Sequence, residues 1–152
     1  MNSILLVDDE RWVRTALRKT IEKTGLPFQV VHEAVNGLDA LDWLNRNQAD
    51  LVMTDVRMPV MDGLAATEAL RARRDAPEVI VLTTFDADEH ILRALRAGAA
   101  GFLLKDTPPH EIVAAIHRVA QGQPVLSPEV TRRLIDRVAE TGYDRRRAAA
   151  RE

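Results

Sequence analysis

The sequence contains no cysteine. That absence removes disulfides, thiolate metal sites and thiol nucleophiles together, and it suits a reducing compartment. Glycine and proline are sparse, seven of each in 152 residues, too few for a low-complexity or disordered chain. Basic charge is not in excess: 21 Lys and Arg stand against 23 Asp and Glu, a formal net charge of -2. This argues against a surface that coats nucleic acid, so any DNA contact has to come from elsewhere. No apolar run approaches the roughly 20 residues of a membrane-spanning helix. Met1 leads almost at once into a strand-type run, without a basic leader or a cleavage site. The expectation is a cytoplasmic chain with no membrane association, long enough for one well-packed domain and an appendage.

Short apolar runs do recur, at residues 4–7, 28–31, 51–54, 79–82 and 102–104, separated by stretches of helical period. The runs are apolar at nearly every position rather than alternating, which suits parallel strands covered on both faces. Between them the helical stripes are Val13, Ala16, Leu17 and Ile21; Leu38, Leu41 and Leu44; Ile91, Leu92 and Leu95; and Ile112, Val113, Ile116 and Val119. A weaker, Ala-rich helix is predicted from Leu64 to about Arg73, opened by Asp62-Gly63. Thr107-Pro108 reads as a cap followed by Pro at the first helical position. The pattern predicts an α/β fold, a doubly wound (βα)5 domain with a parallel five-stranded sheet over residues 1–121. After Gln121-Gly122, Ser127-Pro128 opens a sixth helix with Val130, Leu134, Ile135 and Val138 on one face, followed by a frayed basic tail. Residues 122–152 are thus expected to be an extra helix and a linker.

In a doubly wound sheet ligands bind outside the carboxyl ends of the strands. There the sequence places Asp8-Asp9 after the first run, Thr54-Asp55 after the third, Thr83-Thr84 after the fourth and Lys105 after the fifth. Acids gathered at one edge repel one another unless a cation sits among them. With only oxygen donors at hand, the chemistry selects Mg²⁺ or Mn²⁺ over zinc. Lys105 adds a positive charge on a flexible stem and Thr83 a hydroxyl, which completes a phosphoryl-transfer set. Asp55 is the candidate nucleophile, because Pro59 and Asp62-Gly63 turn the following chain over the site. Asp8 and Asp9 are the candidate metal holders. Taken alone, Asp8-Asp9-Glu10 would suit a helix N-terminus, and Lys105 would suit a solvated surface.

"ILLVDDE", "LVMTDVRMPVMDG", "VIVLTTF" and "GAAGFLLKD", in this order and spacing, resemble the receiver domain of bacterial two-component response regulators. The resemblance covers residues 1 to about 121 and implies the flavodoxin-like strand order 2-1-3-4-5. It implies that Asp55 takes a phosphoryl group from a sensor histidine kinase, with Mg²⁺ ligated by Asp9, Asp55 and the backbone carbonyl of Arg57, and with Asp8 acting through bound water. Thr83 and Lys105 would grip the phosphoryl oxygens, and Phe102 matches an aromatic switch position that moves with Thr83. The implied output is a shift of the face made by the fourth helix, fifth strand and fifth helix. A homodimer would use that face or the C-terminal helices.

The chain departs from the family pattern at Asp106, where the family commonly has Pro, so no cis bond is expected after Lys105. Phe85, two residues beyond Thr83, is a bulky residue expected to shield the acyl phosphate and lengthen its life. "GQPVLSPEVTRRLIDRVAE" resembles the segment that follows the receiver in LuxR/NarL-type transcription factors, so DNA would be reached only through a C-terminal domain absent here. "DDERWVRTALRKTIE" is closer to receivers of AraC-type regulators. All four Met and all four Asn precede residue 63, while Ala is concentrated after it. This fits either an Ala/Arg-rich genome or a recombined chain with its seam near "MDGL".

Three further features bear on competing functions. A Mg²⁺-dependent phosphohydrolase with an aspartyl-phosphate intermediate is the alternative of a different class, but it would place a second Asp two residues after its nucleophile on the first strand, where Glu10 stands. Gly98-Ala99-Ala100-Gly101 is a helix stop and not a phosphate loop, since no Lys-Ser/Thr follows. His32, His90, His110 and His117 share no metal-ligand spacing.

Overall fold

The computed structural model describes residues 3–23, 27–84 and 87–151, with side chains described as far as residue 140. Phe85 and its expected shielding role lie outside the described residues. In chain order the elements are β1 (Ser3–Val7), α1 (Arg11–Lys23), β2 (Gln29–Ala34), α2 (Gly37–Leu44), β3 (Leu51–Thr54), α3 (Gly63–Arg71), β4 (Glu78–Thr83), α4 (Asp88–Ala97), β5 (Gly101–Leu104), α5 (Pro109–Ala120), β6 (Val125–Leu126) and α6 (Pro128–Arg151). The strands form one parallel sheet in the order β2-β1-β3-β4-β5-β6. The expected five-strand order is present within it. The sixth strand corrects the five-stranded expectation: two residues give no periodic signal, and they become a strand because Val125 and Leu126 pair with Gly101 and Phe102.

The unbroken apolar runs are explained by two buried layers. Leu5, Val7, Val52, Val79, Val81 and Phe102 point to the side carrying α2, α3 and α4. Ile4, Leu6, Met53, Ile80, Leu82 and Leu103 point to the side carrying α1 and α5. Alternate residues of each strand therefore serve opposite cores, and the inner strands are apolar along both faces except at their carboxyl ends, where Thr54 and Thr83 are buried. Residues from both sides of position 63 share both cores, so the shift in composition does not divide the fold.

Several boundaries differ from expectation. β2 runs on through His32, Glu33 and Ala34, because as an edge strand it tolerates polar residues: Glu33 receives Arg14 at 3.1 Å and Arg18 at 2.9 Å. α5 starts one residue later than Thr107-Pro108 predicted, with Pro108 as N-cap in extended backbone. Pro108 precedes Pro109, and a residue before proline is pushed out of the helical region. The tail read as frayed is helical to Arg151, in keeping with its content of Ala and Arg, both strong helix formers. Ala16 and Leu38 face solvent, as do Ile135 and Val138. Among the described residues α6 meets the core through Val130 and Leu134.

Helix ends follow their expected chemistry. Asp62 caps α3 by accepting from the Ala65 amide at 2.7 Å. Gly98 ends α4 with φ of 101°, a conformation glycine adopts without strain. The Lys105–Asp106 peptide is trans, since no cis bond occurs among the described residues. Among the described residues no helix is long and apolar enough to cross a membrane.

Candidate functional site

The carboxyl ends of β1, β3, β4 and β5 meet at one edge of the sheet. Asp8 and Asp55 follow directly on β1 and β3, and their backbones extend the ladder: the Asp8 amide donates to Ala34 at 3.1 Å and the Asp55 amide to Val7 at 3.0 Å. Lys105, one residue beyond β5, donates its amide to the Thr83 carbonyl at 2.6 Å. Each side chain is thus placed by a strand terminus rather than by a free loop, and their positions are fixed relative to one another.

The side chains converge. The Lys105 Nζ stands 2.8 Å from Asp8 Oδ2 and 2.8 Å from Asp55 Oδ2. Asp8 is 3% exposed and Asp55 8%, so both carboxylates are largely removed from water. Asp55 Oδ1 accepts from the Val56 amide at 2.7 Å, and Asp8 Oδ1 from the Glu10 amide at 2.9 Å. Burial pushes the Asp8 carboxyl above its ordinary value. The Lys105 hydrogen bond, the Glu10 amide and the Lys105 charge offset this in part, while the Asp55 charge adds to it. Burial pulls Lys105 down, but its hydrogen bonds to Asp55 and Asp8 outweigh that and hold it above its ordinary value.

The remaining expected residues fall around this core. Thr83 is buried at the end of β4, and Phe102 is wholly buried in β5, paired with Val81. Asp9 and Glu10 are exposed, and each of the two can bring a carboxylate oxygen within 4.8 Å of Asp8 and of the other. Arg57 lies exposed in the β3–α3 connection. The cluster Asp8, Asp9 and Glu10, with Asp55 sharing the Asp8 lysine, offers hard, all-oxygen donors. That set fits a divalent ion of the Mg²⁺ type and offers nothing to a soft metal.

Three parts of the site were not legible as such in the sequence. Arg14 donates from Nη1 to the Asp8 carbonyl at 2.6 Å, clamping the acidic turn; its only sequence signal is a position one turn into α1. Gly63 packs against the backbone beneath Asp55, where a Cβ would lie 1.7 Å from the Asp55 oxygen. Its amide donates to the Val56 carbonyl at 2.8 Å. Between them, Val60 adopts a φ of 70° while the Met61 amide donates to Pro59 at 2.8 Å. This tight γ-type turn places a β-branched residue where few are found. A second tie, from the Gly37 amide to the Met61 carbonyl at 2.9 Å, holds the turn to α2.

Comparison with known proteins follows the same lines. Residues 4–117 match the family model described as response regulator receiver domain. The transcriptional regulatory protein YdfI of Bacillus subtilis (strain 168) is 34% identical over 134 residues, covering 88% of this chain and 62% of that protein. The nitrate/nitrite response regulator protein NarL of Escherichia coli (strain K12) is 34% identical over 129 residues, covering 85% of this chain and 59% of that protein. The chain therefore spans about three fifths of the length of these curated relatives. Among solved structures, a LuxR-family two-component response regulator from Aurantimonas sp. SI85-9A1 superposes with a TM-score of 0.84 at 29% identity, covering 90% of this chain and 97% of that one. The receiver domain of the putative response regulator NarL from Mycobacterium tuberculosis gives 0.75 at 33% identity, covering 80% of this chain and 98% of that one. The chain belongs to the response regulator receiver family, homologous to the receivers of LuxR-type regulators of the NarL kind.

Proposed function

We propose that this receiver is switched by phosphorylation of Asp55, with a sensor histidine kinase as donor and a transcriptional response as output. Residues 1–121 carry the phosphoacceptor unit, and residues 122–152 connect it to whatever output the longer relatives possess. The observation that carries this reading is the single ammonium group of Lys105 placed 2.8 Å from two buried carboxylates.

In this reading an Asp55 carboxylate oxygen attacks phosphorus, the bond from phosphorus to the imidazole nitrogen of the donor breaks, and the departing imidazole takes up a proton. Asp9, Asp55 and the Arg57 carbonyl would hold Mg²⁺, with Asp8 reaching it through water. Bound there, the ion would supply charge neutralisation for the transferred group. Lys105 leaves the carboxylate pair to follow a phosphoryl oxygen, a movement that its flexible stem permits, and the Thr83 hydroxyl takes a second one. The Val56 amide fixes Asp55 Oδ1 at 2.7 Å, which leaves Oδ2, now paired with Lys105, as the oxygen that attacks. Phe102 responds as Thr83 moves, and the shift passes to α4, β5 and α5, a two-state equilibrium biased by the new charge.

The test is incubation with a small acyl phosphate donor and Mg²⁺, followed by intact-mass measurement. One phosphoryl group per chain is expected, and none on Asp55→Asn. Many turnovers of donor without an adduct would mark a hydrolase instead and overturn the reading.

A further inference from the structure

Two elements that reach the acidic edge, α4 by its first turn and β5 by its carboxyl end, are joined by a third that the phosphoryl chemistry does not use. α6 is fastened to β5 through backbone. Val125 and Leu126 of β6 pair with Gly101 and Phe102, and the Ser127 amide donates to the Phe102 carbonyl at 3.1 Å. The Ser127 hydroxyl in turn accepts from the Val130 amide at 3.4 Å, and Val130 is wholly buried in the core layer that also holds Phe102 and Ile91 of α4. One turn further on, α6 is fastened to the first turn of α4 by charge. Arg133 donates to Asp88 at 3.0 Å, and Arg137 reaches Glu89 at 3.2 Å and Asp88 at 3.9 Å.

The two attachments differ in kind. Strand pairing and a buried valine are costly to undo, whereas partly exposed ion pairs are individually weak and are screened by salt. A movement of α4 away from β5 would therefore strain these ion pairs as well as the packing of Ile91 and Ala94. Both elements are joined in sequence to a residue of the site: Thr83 lies five residues before α4, and Lys105 directly follows β5. A phosphoryl group on Asp55 would draw on the Lys105 ammonium and the Thr83 hydroxyl together, and so would change how the ends of β4 and β5 sit.

The geometry points to α6 as a salt-sensitive clasp that holds α4 against β5 through Asp88, Glu89, Arg133 and Arg137, with its opening coupled to phosphorylation of Asp55. This rests on the phosphoacceptor reading. By reciprocity of linkage, whatever opens the clasp favours phosphorylation to the same degree that phosphorylation favours opening.

The absence of cysteine makes the test direct. Two cysteines introduced by Arg96→Cys on α4 and Ala139→Cys on α6, both exposed positions, take nitroxide labels in the full 152-residue chain. Pulsed EPR then reads the distance between the helices. One narrow distance is expected at low salt, and a longer, broader distribution at about 0.5 M NaCl, where the screening length is a few ångströms. The same broadening is expected for Arg133→Gln/Arg137→Gln and after treatment with acyl phosphate and Mg²⁺. Arg133→Lys/Arg137→Lys keeps the charge and should keep the narrow distance.

At equilibrium with limiting acyl phosphate, the ratio of phosphorylated to unphosphorylated chain should be about fivefold higher for the Gln variant, the lower end of ordinary coupling between sites. Circular dichroism and urea unfolding confirm that the variants are folded. Distances that ignore salt and the Gln substitutions overturn the clasp. Distances that respond while the equilibrium extent of phosphorylation does not change overturn the coupling. Failure of acyl phosphate to label either protein overturns the phosphoacceptor reading and the coupling with it, while the salt and variant responses still decide whether the clasp exists.

Discussion

Replacing Lys105 by Met removes a cation shared by two buried acids and keeps most of the side-chain volume. Two oxygens each 2.8 Å from one nitrogen stand no more than about 6 Å apart. At an effective dielectric constant of about 20, two like charges near 5 Å repel by roughly 3 kcal/mol. Breaking a buried pair by deleting one partner commonly costs about 3–5 kcal/mol. The edge of the sheet is not the deep interior, so the expected loss is about 3 kcal/mol at neutral pH without divalent ions. The variant also predicts an unusual pH response. Asp8 already has its pKa raised by burial, and loss of Lys105 raises it further. A group with a raised folded pKa favours folding below its unfolded value and loses that contribution as pH rises through the folded value. Lys105→Met should therefore gain stability as pH falls from neutral toward mildly acidic, before the other carboxylates are protonated, and millimolar Mg²⁺ should restore stability at neutral pH. Urea unfolding at two pH values, with and without Mg²⁺, measures all of this. A variant as stable as the parent at neutral pH without Mg²⁺ would refute the view that Lys105 neutralises a repelling pair.

Other substitutions probe the scaffold of the site. Gly63→Ala forces a methyl to within 1.7 Å of the Asp55 oxygen, so the β3–α3 connection must shift; a fall in stability of about 3 kcal/mol or more, and slower phosphorylation by acyl phosphate, are expected. Val60→Gly relieves a β-branched residue at φ of 70° that is 79% exposed and packs on little; a gain of about 1 kcal/mol in urea unfolding is expected. Asp62→Ala removes the cap of α3 and should cost about 1 kcal/mol.

Much of the fold was readable because each strand has to be apolar on both faces. Ile4 and Leu5 serve opposite cores, and no helix of this length carries such a run. Where that constraint lapses, the reading lapsed too. His32 and Glu33 lie on an edge strand where polar side chains are tolerated, His32 stacked on Trp43 at 4.9 Å, and their polarity hid the second half of β2. β6 is a strand only by virtue of its partner. Ile135 and Val138 have helical spacing with Val130, but spacing cannot say how far along its length a helix stays in contact with the core.

The site divides in the same way. Asp8, Asp55, Thr83 and Lys105 were legible because strand ends in a parallel sheet converge at one edge, so that position along the chain dictates position in space. The Arg14 clamp and the close approach of Gly63 depend on how helix and loop pack, which no local pattern encodes. Nor does sequence reveal that the lysine divides itself equally between the two acids.

The proposed switch stands or falls on formation of an acyl phosphate at Asp55. The most direct measurement is reduction of the acyl phosphate-treated, Mg²⁺-loaded chain with borohydride, which converts a phosphorylated aspartate to homoserine, followed by peptide mass spectrometry. Homoserine is expected at position 55 and at no other. Homoserine at position 8 or 9, or phosphate retained on a histidine, would contradict it.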